Sequence, residues 1–249
     1  MSDEQQDMQV FFNVFDAMQR QGPGSDSTIH RVLQQVKRIH LPQRIVDMGC
    51  GKGHATCLLA RETQAEVLAL DLHQPFIKSL QQRAAAEGLS QLAARVGSMD
   101  QPELLPGVFD LIWSEGSAYN IGFERALAIW RPLLSENGLV YISDMVQLTD
   151  ELAAEARIYL EQEGVEFQHV DDRIRQAQAL GYQVLEHFIL PQQDWLDFYG
   201  DMEQQIKRLE PVVGKDHPVL ISLKQEIDIY RRFGHQFGYA CLLMQKTRD

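Results

Sequence analysis

Three glycines at alternate positions, Gly49, Gly51 and Gly53, directly follow the apolar run at residues 45–48. A chain turning out of a buried strand needs glycine there, for positive φ and for a backbone that approaches a ligand without intervening Cβ atoms. Asp47 stands two residues before the first glycine, and Asp71 lies 24 residues beyond Asp47 at the end of a second apolar run. A carboxylate so placed can accept both ribose hydroxyls of an adenosine. A strand-end turn aspartate is the plainer alternative.

The spacing selects among nucleotide chemistries. The loop reads GxGxG, with His54 where a dinucleotide-binding GxGxxG would put its last glycine. A pyrophosphate is repelled by a carboxylate as close as Asp47, whereas a sulfonium carrying an amino group is attracted. An NAD-type Rossmann oxidoreductase is therefore the weaker alternative. The P-loop is excluded, since Gly51-Lys52 is followed by Gly53 rather than Ser or Thr, and Val46 occupies the place of its first glycine.

These residues must be held by an alternation of strands and helices. An opening amphipathic helix carries Val10, Phe11, Val14, Phe15 and Met18 and stops at Gly22-Pro23-Gly24. Ser25, Asp26 or Ser27 can cap a second helix bearing Ile29, Val32, Leu33, Val36 and Ile39. Strands are expected at residues 45–48, 67–70, 94–96, 109–113, 139–143, 182–190 and 239–244, the fifth following an Asn137-Gly138 turn, with helices from about His54, from Pro75 and over 123–134. Strands separated by helices imply crossovers, hence an α/β fold with a doubly wound, mostly parallel seven-stranded sheet. Residues 149–180 and 193–232 read as helix-rich insertions that would act as lids or simply cover the sheet.

The organisation expected is one domain over 1–249, with an N-terminal helical cap at 1–40, a cofactor-binding core at 41–146 and the remaining strands with their insertions at 147–249. The 249 residues are 45% hydrophobic and 23% charged, ordinary for a folded chain. A net charge of −12 disfavours nucleic acid and anionic membranes as partners. The acidic opening residues and the lack of an apolar run near ~20 residues point to a soluble, cytoplasmic protein. Cys50, Cys57 and Cys241 show no CxxC spacing, and the eight histidines form no ligand motif, so neither a disulfide scaffold nor a metal site is expected. A homodimer is compatible with everything above.

On VDMGCGKG at 46–53, LDLHQPFI at 70–77, GSMDQPELLPGVFDLIWSEG at 97–116 and the strand after Asn137-Gly138, the sequence resembles the class I S-adenosylmethionine (SAM)-dependent methyltransferases. Through QGPGSDST at 21–28, WSEGSAYNIGFERAL at 113–127 and HFILPQQDW at 187–195 it looks like a bacterial group acting on small molecules of mostly unassigned identity. The resemblance implies a Rossmann-like methyltransferase fold, SAM as cofactor and S-adenosylhomocysteine (SAH) as product. It implies that Gly49, Cys50, Gly51 and Gly53 wrap the methionine end beside Asp47, that Asp71 holds the ribose and that Leu72 lies by the adenine. The family's usual Gly-Asp-Ala at the third strand end is here Gly97-Ser98-Met99-Asp100, so Ser98 or Asp100 would meet the adenine amine, with Met99 alongside. Ser114 and Glu115 fall near the methionyl amine and the methyl.

Methyl transfer is an in-line displacement in which alignment supplies much of the rate, so a dedicated base is dispensable. If one exists, Glu115 is the nearest candidate, with Tyr119 or His54 behind it. Tyr119, Asn120, Trp195 and Tyr199, with Phe198, are candidates for the pocket of a small-molecule acceptor. Phe11 and Phe15 could close over the cofactor or simply pack, with residues 22–25 as the hinge. The alternative to an enzyme is a SAM- or SAH-binding sensor.

Overall fold

The computed structural model describes residues 3–101, 105, 107–166 and 168–248. Seven strands, β1 (Arg44–Met48), β2 (Glu66–Asp71), β3 (Leu92–Val96), β4 (Phe109–Glu115), β5 (Leu134–Gln147), β6 (Tyr182–Ile189) and β7 (Phe237–Lys246), form one sheet in the order β3-β2-β1-β4-β5-β7-β6. All neighbours are parallel except β7, which runs antiparallel to both β5 and β6.

The period of two decides the layering. Ile45, Leu111, Trp113, Leu139, Tyr141 and Cys241 face one apolar cluster, while Val46, Ile112, Val140, Ile142 and Leu242 face the other. Central strands buried on both sides read as continuous apolar runs, and β1 does so from Ile45 onward.

The helices are α1 (Asp3–Ala17), α2 (Asp26–Ile39), α3 (His54–Thr63), α4 (Gln74–Ala86), α5 (Phe123–Trp130), α6 (Ala154–Gln162), α7 (Val170–Ala179), α8 (Gln192–Val213) and α9 (Pro218–Phe233). The cap of α2 is Ser25, whose hydroxyl accepts from the Thr28 amide at 3.2 Å; Asp26 sits at its positive end, Lys37 and Arg38 at its negative end. Among the described residues no helix is long and apolar enough to cross a membrane.

Two expectations need correction. The helix over 123–134 ends at Trp130, because Pro132 lacks an amide hydrogen and the chain tightens into a 3-10 turn before entering β5. Asn137 and Gly138 lie inside β5 rather than ahead of it. Asn137 takes φ 62°, and the β4–β5 register shifts between Phe109 and Leu111, so the strand carries the irregularity without ending. The helical stretch at 193–232 is two helices, parted around Gly214. The chain order reverses on either side of β1, where β2 and β4 flank it, and in such sheets ligands bind at the carboxyl ends beside that reversal.

Candidate active site

A cavity of about 620 Å³ opens beyond the carboxyl ends of β1, β2, β3 and β4, walled by Asp47, Gly49, Asp71, Gly97 and Glu115 together with residues from the N-terminal helices. Its floor is formed by Gly49, Cys50 and Gly51 of the glycine loop, while Gly53 lies outside the lining, against Leu80; all three glycines take positive φ. The amides of Gly49 and Cys50 both donate to the Leu70 carbonyl at 2.9 Å, which folds the loop back onto β2. A Cβ at Gly49 would sit 2.6 Å from Ser117, and one at Gly53 would sit 2.2 Å from Cδ1 of Leu80. The loop requires glycine for packing as well as for backbone angle.

Asp71 is fixed by two backbone amides. Gly51 donates to one carboxylate oxygen at 2.9 Å and His73 to the other at 2.8 Å, leaving each a lone pair for a further donor. Leu72 beside it is 69% exposed, an apolar surface open to a ligand. Asp47 is buried, accepts from the Thr56 hydroxyl at 2.6 Å and is pushed up to about 7 by burial, with Glu115 and Asp71 adding repulsion. Burial drives the Cys50 thiol well above its usual range, so it lines the cavity as a neutral group.

Arg20, which the sequence did not single out, supplies the cavity's cation. Its Nη2 donates to Oε2 of Glu115 at 2.6 Å, and the Trp113 indole donates to Oε1 at 3.2 Å. Burial pushes the Glu115 carboxyl up while Arg20 opposes the shift. Nη1 of Arg20 is buried with no hydrogen-bond partner; an Asp26 carboxylate oxygen lies 3.8 Å away, beyond hydrogen-bond reach. A buried guanidinium N–H without an acceptor is costly, and it is a ready donor to an anionic ligand.

Lys52 does not line the cavity. Its Nζ donates to the carbonyls of Asp16 at 2.6 Å and Met18 at 2.9 Å, satisfying the end of α1, while its amide donates to Gln21 Oε1 at 2.9 Å. The loop therefore carries the N-terminal segment. Phe12 of α1 stacks on His73 at 3.6 Å and 6°, forming part of the rim. His54, at the start of α3, bonds Asp26 at 2.6 Å.

At the third strand's end the wall is made by Gly97 and Met99. Ser98 and Asp100 bond to each other, Asp100 lies 3.9 Å from Arg125, and neither is among the lining residues. Ser114 also stands behind the wall, fully buried against the hydroxyl of Ser117, which donates to the Met48 carbonyl at 2.7 Å. A side chain alternates in direction along a strand, so adjacency in sequence to a lining residue does not confer access.

A second cavity of about 340 Å³ adjoins the first; Phe12, Gly22, Pro23, Phe76, Gly116 and Tyr119 belong to both walls. Tyr119, Trp195, Phe198 and Tyr199 line it, as do Phe11 and Phe15, whereas Asn120 lines the first cavity. Tyr159, Glu163, Glu226 and Tyr239 also line it, contributed by late segments that carry no motif. Among the described residues no group of three or more His, Cys, Asp or Glu side chains is arranged to hold a metal ion.

A family model described as a methyltransferase domain matches residues 45–138. Over 92 residues the chain is 34% identical to malonyl-[acyl-carrier protein] O-methyltransferase of Methylovorus sp., an alignment covering 34% of this chain and 30% of that protein's length. Across almost the whole chain the fold is similar to two solved structures: YjhP from E. coli (TM-score 0.82, 19% identity, 96% of this chain and 99% of that one) and a SAM-dependent methyltransferase from Geobacter sulfurreducens solved with SAH (TM-score 0.82, 17% identity, 96% and 98%). The two structures establish the fold, and the domain match falls on the strands and loop that build the larger cavity. Residues 45–138 thus match a methyltransferase domain, carried on a fold shared with solved SAM-dependent methyltransferases.

Proposed function

We propose that this protein transfers a methyl group from SAM to a small-molecule acceptor. The observation that carries the reading is the unsatisfied Nη1 of Arg20 in the wall of a cavity floored by the glycine loop and flanked by Asp71. That donor set suits an amino-acid end joined to a ribose: the guanidinium for the carboxylate, Asp47 and Glu115 for the amino group, Asp71 for the ribose hydroxyls. Gly97 and Met99, with Leu72, offer the apolar surface for an adenine. When bound, SAM supplies an electrophilic methyl on a sulfonium.

The chain's own residues then align and exclude water. Both oxygens of Glu115 already accept hydrogen bonds, so Glu115 is better suited to hold Arg20 and the cofactor than to take a proton. The half-exposed Tyr119 phenol, at the junction of the two cavities, acts as a donor that orients the acceptor. Arg20, Gln21 and Asp16 tie the end of α1 and the segment after it to Glu115 and to Lys52 of the glycine loop.

Calorimetry with SAM, SAH and NAD tests the cofactor: SAM and SAH binding is expected, and NAD binding without SAM would sink the reading. Transfer of labelled methyl across a metabolite extract, compared with Asp71→Ala, separates an enzyme from a sensor, which would label nothing.

A further inference from the structure

The second cavity has a chemical bias of its own. Its walls are aromatic: Trp195 and Tyr239 lie 4.6 Å apart between ring centroids, and Tyr230 stacks behind Trp195 at 4.7 Å and 14°. Two carboxylates line this apolar box, Glu226 half-buried among the rings and Glu163 solvent-exposed at its edge, and no Lys, Arg or His is among its lining residues. Oε1 of Glu226 accepts from the Tyr199 hydroxyl at 3.1 Å, and no ion pair to Glu226 occurs among the described residues. A carboxylate among aromatic rings with no counter-charge is poorly solvated, and binding of a cation relieves that. Ring faces attract the same cation. An anionic acceptor would meet two carboxylates and no positive group.

Resting on the methyl-transfer reading, we propose that the acceptor carries an ammonium group on an aromatic or branched apolar body, anchored in this cavity against Glu226 and Glu163 without itself being methylated, while another atom of the molecule with a free lone pair takes the methyl as the S–CH3 bond of SAM breaks, SAH leaves and any proton on that atom passes to solvent. The shared walls at Gly116 and Tyr119 let such a molecule reach the larger cavity. The groups facing Glu226 are Tyr199 of α8, Glu163 after α6, Tyr159 of α6, Tyr119 after β4 and Tyr239 of β7. Burial raises Glu226 to about 7, with Glu163 adding to the shift, so a cation must displace a proton below that pH. Its affinity is therefore expected to rise between pH 6 and 8.

The test uses three probes of one shape: phenethylamine, phenethyl alcohol and phenylacetate, titrated with and without SAH and followed by ligand-observed NMR and calorimetry. The amine is expected to bind at least tenfold more tightly than the other two. Glu226→Gln, which keeps an acceptor for Tyr199, is expected to abolish that preference while SAH affinity holds and the melting temperature does not fall. Equal or tighter binding of phenylacetate, no detectable binding of the amine, or an amine preference unchanged in Glu226→Gln would each overturn the proposal. Failure of SAH to bind would remove the methyl-transfer reading instead, and the amine preference is read independently of it.

Discussion

Nη2 of Arg20 lies 2.6 Å from Oε2 of Glu115, joining the segment after α1 to the carboxyl end of β4 across 95 residues of chain. Both side chains are mostly buried, so each compensates a charge that the other would leave stranded. The pair also fixes where the free Nη1 points.

Replacing Arg20 by Met breaks that pair. Removing one partner of a buried ion pair leaves its charge uncompensated, and for these partly screened groups the loss is expected to be about 2 kcal/mol in urea unfolding. SAH affinity should drop at least tenfold by calorimetry, because the carboxylate donor goes with the guanidinium. An unchanged SAH affinity would remove Arg20 from the cofactor site.

Asp71→Asn retains one oxygen where the aspartate offered two. With the charge and one acceptor gone, SAM and SAH affinities are expected to fall on the order of 100-fold, about 2.7 kcal/mol, while NAD remains unbound. Calorimetry on the folded variant gives the value directly.

Two glycines at similar φ separate strain from collision. Gly88 has φ 68° and open space where a methyl group would go, whereas Gly53 has φ 71° and Leu80 within 2.2 Å. Gly88→Ala is expected to cost about 1 kcal/mol, the left-handed penalty alone. Gly53→Ala should cost at least about 3 kcal/mol, since overpacking adds to it. Equal melting-temperature shifts for the two variants would contradict the packing account.

Lys52→Met removes the donor that Asp16 and Met18 share. The exposed carbonyls then rely on water, and amide exchange in α1 is expected to accelerate about tenfold while the protection of β1 and β4 stays at its original level. Exchange that rises equally throughout the sheet would show that Lys52 supports the whole fold instead.

Stability should fall as pH rises through neutrality. Asp47 and Glu226 are both raised to about 7 by burial, from ordinary carboxyl values near 4. Below those unfolded values both states are protonated and the contribution is fully present. Between about 4 and 7 the unfolded chain has lost the protons that the native protein keeps, so each unit of pH removes stability until the native groups ionise. From pH 5 to 8 the loss is expected to reach about 2–3 kcal/mol per group, and Asp47→Asn or Glu226→Gln should each flatten the urea-midpoint profile. A midpoint that climbs over this range would refute the assignment.

The sequence by itself determined the strands and that the glycine loop and Asp71 meet at one cavity. Alternating strand and helix periods with a glycine triplet admit few arrangements: the chain must turn sharply at Gly49, and a strand-end Asp71 must then face that turn. It did not determine side-chain direction at strand ends, and Ser98, Asp100 and Ser114 turn away from a cavity that Gly97, Met99 and Glu115 line. Only the tertiary structure brought Arg20 to Glu115, Lys52 to the end of α1, and Glu226 and Tyr239 to Tyr119. Those contacts join segments about 35 to 120 residues apart, and a local pattern carries no record of which distant helix will cover a given strand end. The ligand-facing charge of this protein is set by how its first and last helices pack over the sheet.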